Sequence, residues 1–392
     1  MTSAGDNPTI PQQRKTHAMN TSTKDIQLGM FAMPLHPADR DYAETLEEDR
    51  QAVILADQLG MSEFYIGEHH TSGLEKITNP LIFFASLASE TKNIRLGSGT
   101  LVMPLMHPVA VASNVAMLDQ LLKGRFILGA GPGTLVTDVE AFGSIPMDVR
   151  HRMVHESLDL VTKIWTTEPP FELNGEFWKI SLKNTLIPEF KVGWPPLPKQ
   201  RPHPPIALTL VSPQSSTAKS AGVKGWIPIS ANFIHKRYLR SHWDSYVEGC
   251  ESVGRKADPA EWRVVRCCLV TESNSEARDY LADPAGGLSH YYKFMRHIAI
   301  AGRGALHMLK PDLSMTDEET TVDRIVHSQV IAGNPGEVLE QLIELRKEVG
   351  HFGTLIMTAH DWDRPTMWKR SMELMAKEVM PRFSRHAAQV AA

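Results

Sequence analysis

From residue 27 the chain alternates short apolar, β-branched runs with longer stretches whose apolar positions recur every three or four residues. "QLGMFAMP" (27–34) predicts a strand, and "YAETLEEDRQAVILADQLG" (42–60) sets Leu46, Ile54, Leu55 and Leu59 at near-helical spacing before a glycine stop. "EFYIGEH" (63–69) predicts a second strand, and "NPLIFFASLASETKN" (79–93) a helix entered through Asn79 and Pro80. "IRLGSGTLVMP" (94–104), a helix from Pro108 to Lys123, "GRFILGAGPG" (124–133) and a helix near 148–166 continue the rhythm. "PPIALTLVS" (204–212), "GWIPISA" (225–231), "WRVVRCCLV" (262–270) and "FGTLIMTAHDW" (352–362) bring the strands to eight. Eight strand–helix alternations with no segregated second domain predict an α/β fold of the (β/α)8 TIM-barrel type.

Two stretches break the alternation, the proline-dense 168–204 and the segment 279–327 that carries "GGLSHYYKFMRHIAIAGRG". Both are expected as lids or active-site walls, because long irregular connections in compact folds are usually functional. Residues 1–25 are expected as a polar, flexible tail, 26–384 as the barrel domain and 385–392 as a C-terminal tail.

Composition narrows the partners. With 42% hydrophobic and 22% charged residues and a net charge of -4, the chain offers no basic field for nucleic acid or an anionic membrane. The polar start lacks a signal peptide's apolar core, and no apolar run reaches the length of a membrane span. Three cysteines, Cys250 and the adjacent Cys267 and Cys268, do not form a disulfide framework, which places the protein in a reducing cytoplasm.

In a barrel of this kind the working face is the carboxyl end of the strands, where "GEHH" (67–70) falls. Glu68, His69 and His70 are candidate catalytic residues, with a structural Glu68–His70 hydrogen bond as the alternative. No metal is expected: adjacent histidines on a strand face opposite sides, and the H-E-x-x-H motif is absent. In "ILGAGPG" (127–133), Gly129, Gly131 and Gly133 do not complete a dinucleotide fingerprint, since Pro132 interrupts it and Asp148 ends no second strand. They fit either close approach to a flat ligand or a tight turn. In "LVSPQSS" (210–216), Ser212 and Ser215 stand where a strand gives way to a helix, a position suited to a phosphate or to simple capping. "NPGEV" (334–338) is a further capped start. Phe31, Met33, Met103 and Met106 lie near strand ends and are candidates for an apolar pocket, or plain core.

Taken together, "GEHH", "IRLGSGTLVMPLMHP" (94–108), "LDQLLKGRFILGAGPG" (118–133), "FG" (142–143), "SPQS" (212–215), "IAGNPGEV" (331–338) and "AHDW" (359–362) resemble the bacterial luciferase-like flavin monooxygenases from about Gln27 to Phe383, and within them the limonene-monooxygenase-like group. The resemblance implies a barrel that takes reduced FMN (FMNH2) from a separate NAD(P)H-dependent flavin reductase and works as a homodimer. It would insert one atom of O2 into a small hydrophobic, terpene-like substrate through a flavin hydroperoxide, by epoxidation, hydroxylation or Baeyer–Villiger reaction. It places a neutral, proton-moving His69 over the flavin, a non-proline cis bond at Gly99–Thr100 against the ring, and Arg150, Ser212 and Ser215 on the phosphate. Gly131 and Pro132 replace the cysteine and arginine of luciferase, so aldehyde luminescence is not expected. A deazaflavin-dependent dehydrogenase, a metal-dependent hydrolase and a non-catalytic flavin-binding protein are the competing readings.

Overall fold

The computed structural model describes residues 26–301 and 305–391; the expected tail at 1–25 lies outside them. Eight strands form the ring: β1 (Gln27–Ala32), β2 (Glu63–Ile66), β3 (Arg95–Ser98), β4 (Phe126–Gly131), β5 (Ile206–Leu210), β6 (Ile227–Ser230), β7 (Arg263–Arg266) and β8 (Thr354–Ala359). Each pairs in parallel with its sequence neighbour, and β1 closes on β8 from Gln27 against Thr354 to Ala32 against Ala359. This is the predicted closed barrel, with helices outside. They are α1 (Tyr42–Gln58), α2 (Pro80–Ala85), α3 (Pro108–Leu121), α4 (Val136–Ala141), α5 (Met147–Thr166), α6 (Ser216–Lys224), α7 (Leu239–Glu251), α8 (Asn274–Leu281), α9 (Gly287–Ala301), α10 (Val322–Gln329), α11 (Pro335–Val349), α12 (Pro365–Leu374) and α13 (Met380–Ala391). Among the described residues, no helix is long and apolar enough to cross a membrane.

Alternate residues of each strand point inward and fill the bore. Tyr65, Ile127, Ala207, Ile229, Val265 and Ile356 form one apolar cluster, with Phe31 and Ile227 against it. The aromatic rings need room, and β3 supplies it: a Cβ on Gly97 would stand 2.5 Å from the Tyr65 ring, and one on Gly99 2.6 Å from the Phe31 ring. Toward the amino end of the bore, Arg263 donates two hydrogen bonds to Glu63, at 2.6 and 3.3 Å, and Tyr65 donates a third at 2.6 Å. Burial would raise the Glu63 carboxyl, but the Arg263 guanidinium overrides it and holds the group at about 2.

The two expected excursions part company. The segment 168–204 joins the end of α5 to the start of β5, so it belongs to the amino end of the barrel rather than to the site face. Gln200 hydrogen-bonds Asp119 and the carbonyl of Phe126, the first residue of β4, and the hairpin Phe171–Asn174/Lys179–Leu182 rests its turn on Glu156 along α5. It is not a lid. The segment 279–327 follows β7 and does reach the carboxyl face. There Tyr291 of α9 accepts from Asn232 at 2.6 Å and lies 3.6 Å from the Met33 sulfur, roofing the bore. Residues 385–391, expected as a tail, continue α13; Phe383 and Ala387, four apart on one helical face, are buried.

Removing one partner of the ion pair strands the other inside the bore. Arg263→Met is therefore expected to cost about 3 to 5 kcal/mol in urea unfolding. Because the native Glu63 carboxyl titrates below its unfolded value of 4.5, the pair's contribution is complete above that pH and is lost as pH falls toward 2. An unchanged unfolding midpoint in the variant would count against this account.

Candidate functional site

Strand β2 ends at Ile66, and the next residues turn over the rim of the barrel. Glu68 is buried; its Oε1 lies 2.9 Å from His70 Nε2, and its Oε2 accepts from the backbone N–H of Val102 at 3.3 Å. Burial pushes the Glu68 carboxyl up, against the pull of His70. His69 turns elsewhere. Its Nδ1 faces Asp138 Oδ2 at 3.3 Å and its Nε2 faces Glu75 Oε2 at 3.0 Å. Carboxylate oxygens only accept, so both ring nitrogens carry protons. Burial alone would lower this imidazole; Glu75 and then Asp138 reverse that and raise it to about 9. The two carboxylates thus favour the protonated His69 ring, where a neutral, proton-moving ring was expected.

Asp138 does more than hold His69. From the buried side of α4 it also accepts the backbone N–H groups of His70, at 3.1 Å, and Thr71, at 2.8 Å, and the Thr71 hydroxyl at 2.6 Å. These bonds clasp the loop after β4 to the loop after β2. Burial would raise its carboxyl, yet the Thr71 and His70 donors with His69 hold it below the ordinary range.

The Gly99–Thr100 peptide bond is cis. The glycines opposite it have a use other than close approach to a flat ligand. A Cβ on Gly129 would stand 1.8 Å from the Ser98 carbonyl oxygen, one on Gly131 2.5 Å from Thr100 Oγ1, and one on Gly133 2.7 Å from Val102 Cγ1. All three give way to the neighbouring segment 98–102. Gly133, at φ +73°, also makes the turn out of the strand.

Beyond that turn, Arg150 of α5 folds back so that its guanidinium donates to the carbonyls of Pro132 and Gly133, while its buried Nε meets no partner. A cleft of about 350 Å3, counted to its open mouth, joins these groups: Glu68, His69, Gly133, Asp138 and Arg150 line it, with Val102, Leu105, Val139, Phe142 and Ile145 as apolar wall. Ser215 is the N-cap of α6, accepting from Ala218 N–H at 3.2 Å, and Ser212 is exposed. Asn334 caps α11 in the same way. Of the four pocket candidates, Phe31 packs on the apolar cluster in the bore and Met33 lies under Tyr291. Met103 is fully buried core and Met106 packs beside it; none of the four lines the cleft.

Several residues of this face carried no local signal in the sequence. Asp138 and Glu75 sit in polar stretches, and only the fold brings Asp138 to His69. The same holds for a second clamped imidazole. His36 Nδ1 lies 2.5 Å from Asp361 Oδ1, its Nε2 3.4 Å from Asp49, and Arg40 bridges Asp361, at 2.5 Å, and Glu48, at 2.9 Å. Burial opposes protonation there too, but Asp361 and Asp49 raise His36 to about 9. His36, Glu48 and Asp361 have the spacing of a metal triad, but the Arg40 guanidinium already supplies positive charge between the two carboxylates. The stretch "AHDW" owes its Asp361 to this seam.

A closed parallel barrel with a mixed polar and apolar cleft at its carboxyl rim defines a small-molecule enzyme of the TIM-barrel class. The chain belongs to the luciferase-like monooxygenase family, whose model matches residues 26–351. It is 31% identical over 361 residues to 4-hydroxyprotoasukamycin monooxygenase of Streptomyces nodosus subsp. asukaensis, covering 92% of each chain. It is 28% identical to limonene 1,2-monooxygenase of Rhodococcus erythropolis, covering 92% of this chain and 87% of that one. Among solved structures it matches the oxygenating constituent of 3,6-diketocamphane monooxygenase of Pseudomonas putida, a type II Baeyer–Villiger monooxygenase in complex with FMN. That match has a TM-score of 0.80 at 26% identity and covers 91% of this chain and 98% of the other. The protein is thus an oxidoreductase of the flavin-dependent monooxygenase class.

The clamp makes a specific titration prediction. The His69 ring should stay doubly protonated past the ordinary 6.5 and lose its proton only near 9, and Asp138→Asn should move that point down, both read from imidazole nitrogen shifts in NMR. A raised native value means the clamp stabilises the fold fully below 6.5 and less as pH rises through 9, a slope that His69→Gln should remove. A ring that titrates at 6.5 in the native protein would overturn the assignment.

Proposed function

We propose that the chain is the oxygenase half of a two-component monooxygenase. It accepts FMNH2 from a separate NAD(P)H-dependent flavin reductase and inserts one oxygen atom of O2 into a small hydrophobic, terpene-like substrate, by epoxidation, hydroxylation or Baeyer–Villiger reaction. The observation that carries this reading is the cleft at the carboxyl rim, which pairs an apolar wall with the Arg150 guanidinium, whose buried Nε has no acceptor. The match to an oxygenating constituent in complex with FMN supports it. Reduced FMN, when bound, supplies the electrons that activate O2.

The residues present fit that cofactor. Arg150 Nε is a buried donor without an acceptor, a match for a phosphate oxygen. Ser215 spends only a lone pair on Ala218 N–H, so its hydroxyl proton is free to donate at the start of α6, with Ser212 beside it. Val102 and the rest of the apolar wall offer surface to a flat ring, and Gly131 and Gly133 let segment 100–102 pack close. His69 holds a fixed positive charge at the rim, suited to stabilising negative charge rather than to shuttling a proton. The His70 ring is exposed and meets one carboxylate, that of Glu68. We place the enzyme in the cytoplasm, where reduced nicotinamide is at hand.

Helix α3, "PVAVASNVAMLDQL", is apolar nearly all round, yet Val109, Met117 and Leu121 stand exposed, with Ile82 of α2 also bare. A helix of this kind calls for a cover, and a second copy of this chain, in a homodimer, would supply it.

Anaerobic titration is expected to show tighter binding of FMNH2 than of oxidised FMN. Arg150→Met, or Ser212→Ala with Ser215→Ala, should weaken FMNH2 on the order of tenfold to a hundredfold while leaving riboflavin nearly unchanged. The serine pair should also lose about 1 kcal/mol of stability with its cap. Mixing the loaded protein with air and a terpenoid panel should yield products one oxygen heavier by mass spectrometry; equal loss of FMNH2 and riboflavin binding in the variants would displace the phosphate from these residues.

Solution scattering is expected to give a dimer mass at micromolar concentration and a monomer mass for Met117→Lys. A wild-type monomer would remove the homodimer.

A further inference from the structure

A second cavity lies between α9 and the loop that follows β2, with an empty volume of about 770 Å3 counted out to its mouth. The part of it enclosed enough to hold a ligand, about 380 Å3, lies within the roughly 300 to 1,000 Å3 span of small-molecule sites. Its lining is divided in character. Leu74, Phe294 and Val322 are apolar; His290, Lys293, Arg296 and His297 are basic or titratable, and no acidic side chain lines it.

The basic groups are not equivalent. Arg296 is fixed, donating Nε to the Thr320 carbonyl at 2.7 Å and a second nitrogen to the Asp317 carbonyl at 2.9 Å. Neither carbonyl cancels its charge. Lys293 is exposed and has no ion-pair partner among the described residues. His290 Nε2 is buried and meets no partner. A neutral molecule in this space would leave that excess of positive charge unanswered, whereas an anionic head would answer it.

The cavity also adjoins the site. The other face of α9 carries the buried Tyr291 and Tyr292, and Tyr291 roofs the bore. Leu74 is followed directly by Glu75, the residue that holds His69. The cavity thus shares one wall with the roof and one with the loop that bears the imidazolium.

We propose that this cavity is the substrate vestibule, and that the substrate is an apolar molecule with a single anionic head group, a carboxylate or a phosphate. Lys293 and Arg296 hold the head, and Leu74, Phe294 and Val322 carry the apolar body. The inference rests on the monooxygenase reading only where it calls the bound molecule a substrate. It narrows a broadly hydrophobic substrate class to an acidic one.

Three probes with one body and different heads test it: decanoate, decyl phosphate and the neutral decanamide, by isothermal titration calorimetry on the full chain. Decanoate or decyl phosphate is expected to bind at least about tenfold more tightly than decanamide, and the tighter of the two assigns the head group. Lys293→Gln, an exposed position that should not disturb folding, should reduce the anion's affinity by about tenfold and leave decanamide unchanged; added salt should do the same. Equal binding of all three probes, or an anion affinity untouched by Lys293→Gln, overturns the proposal. FMNH2 affinity is measured alongside and should not change in Lys293→Gln. A wild-type chain that selects the anion yet binds no FMNH2 would defeat the flavin reading and leave the acidic vestibule standing.

Discussion

Ring closure is the constraint on which the rest depends. A parallel strand cannot stop at an edge without leaving backbone groups bare, and here the first strand meets the last, so that none does. Because all eight strands run the same way, their carboxyl ends share one rim, and loops far apart in sequence must meet there. The seam between β1 and β8 is tied on that rim by His36 and Arg40 on Asp361, and at the other end by Ser384 Oγ donating to the Ile26 carbonyl at 3.2 Å. Filling the bore is the matching demand, met by Tyr65 and Phe31 pressing into the space left by Gly97 and Gly99.

Charge at the rim follows one pattern used twice. An imidazole is held between two carboxylates that outweigh the cost of desolvation, once at the buried His36 and once at the partly covered His69. In each case the ring joins loops from different strands, and in each case the carboxylates raise it to about 9. His360 is the contrast: it is buried beside Tyr291 and Trp368, neither ring nitrogen has a partner, and burial drives it down to about 3. Environment, more than residue type, sets what a histidine can do here.

The strands were legible because alternation and β-branched runs mark them locally; all eight predicted runs contain a strand of the ring. Helix faces were less so. In α1 the fully buried positions are Thr45, Asp49, Ala52, Val53 and Ala56, while Leu46, Ile54, Leu55 and Leu59 are only partly covered, since Asp49 is drawn inward toward His36. The expected helix at 79–93 keeps helical form only over Pro80–Ala85. At the site, "GEHH" stood out by type and place and Gly99–Thr100 through the family resemblance, but the protonation of His69 was not legible. That depends on Asp138, which a single sequence gives no reason to pair with it. The glycines of "GAGPG" could be noticed but not interpreted, because what fills the space of their missing side chains is the neighbouring segment.

The turn bridged by Ile187 and Val192, pinned near the end of α5 by Trp194 Nε1 on Glu168 at 2.9 Å, projects Phe190 into solvent at the pole opposite the cleft. That polarity gives the enzyme a natural handle. A dye, a surface tether or a fused electron-donating module joined at this turn would be carried by the barrel without standing in the path of cofactor or substrate, so both poles of the molecule can be occupied at once.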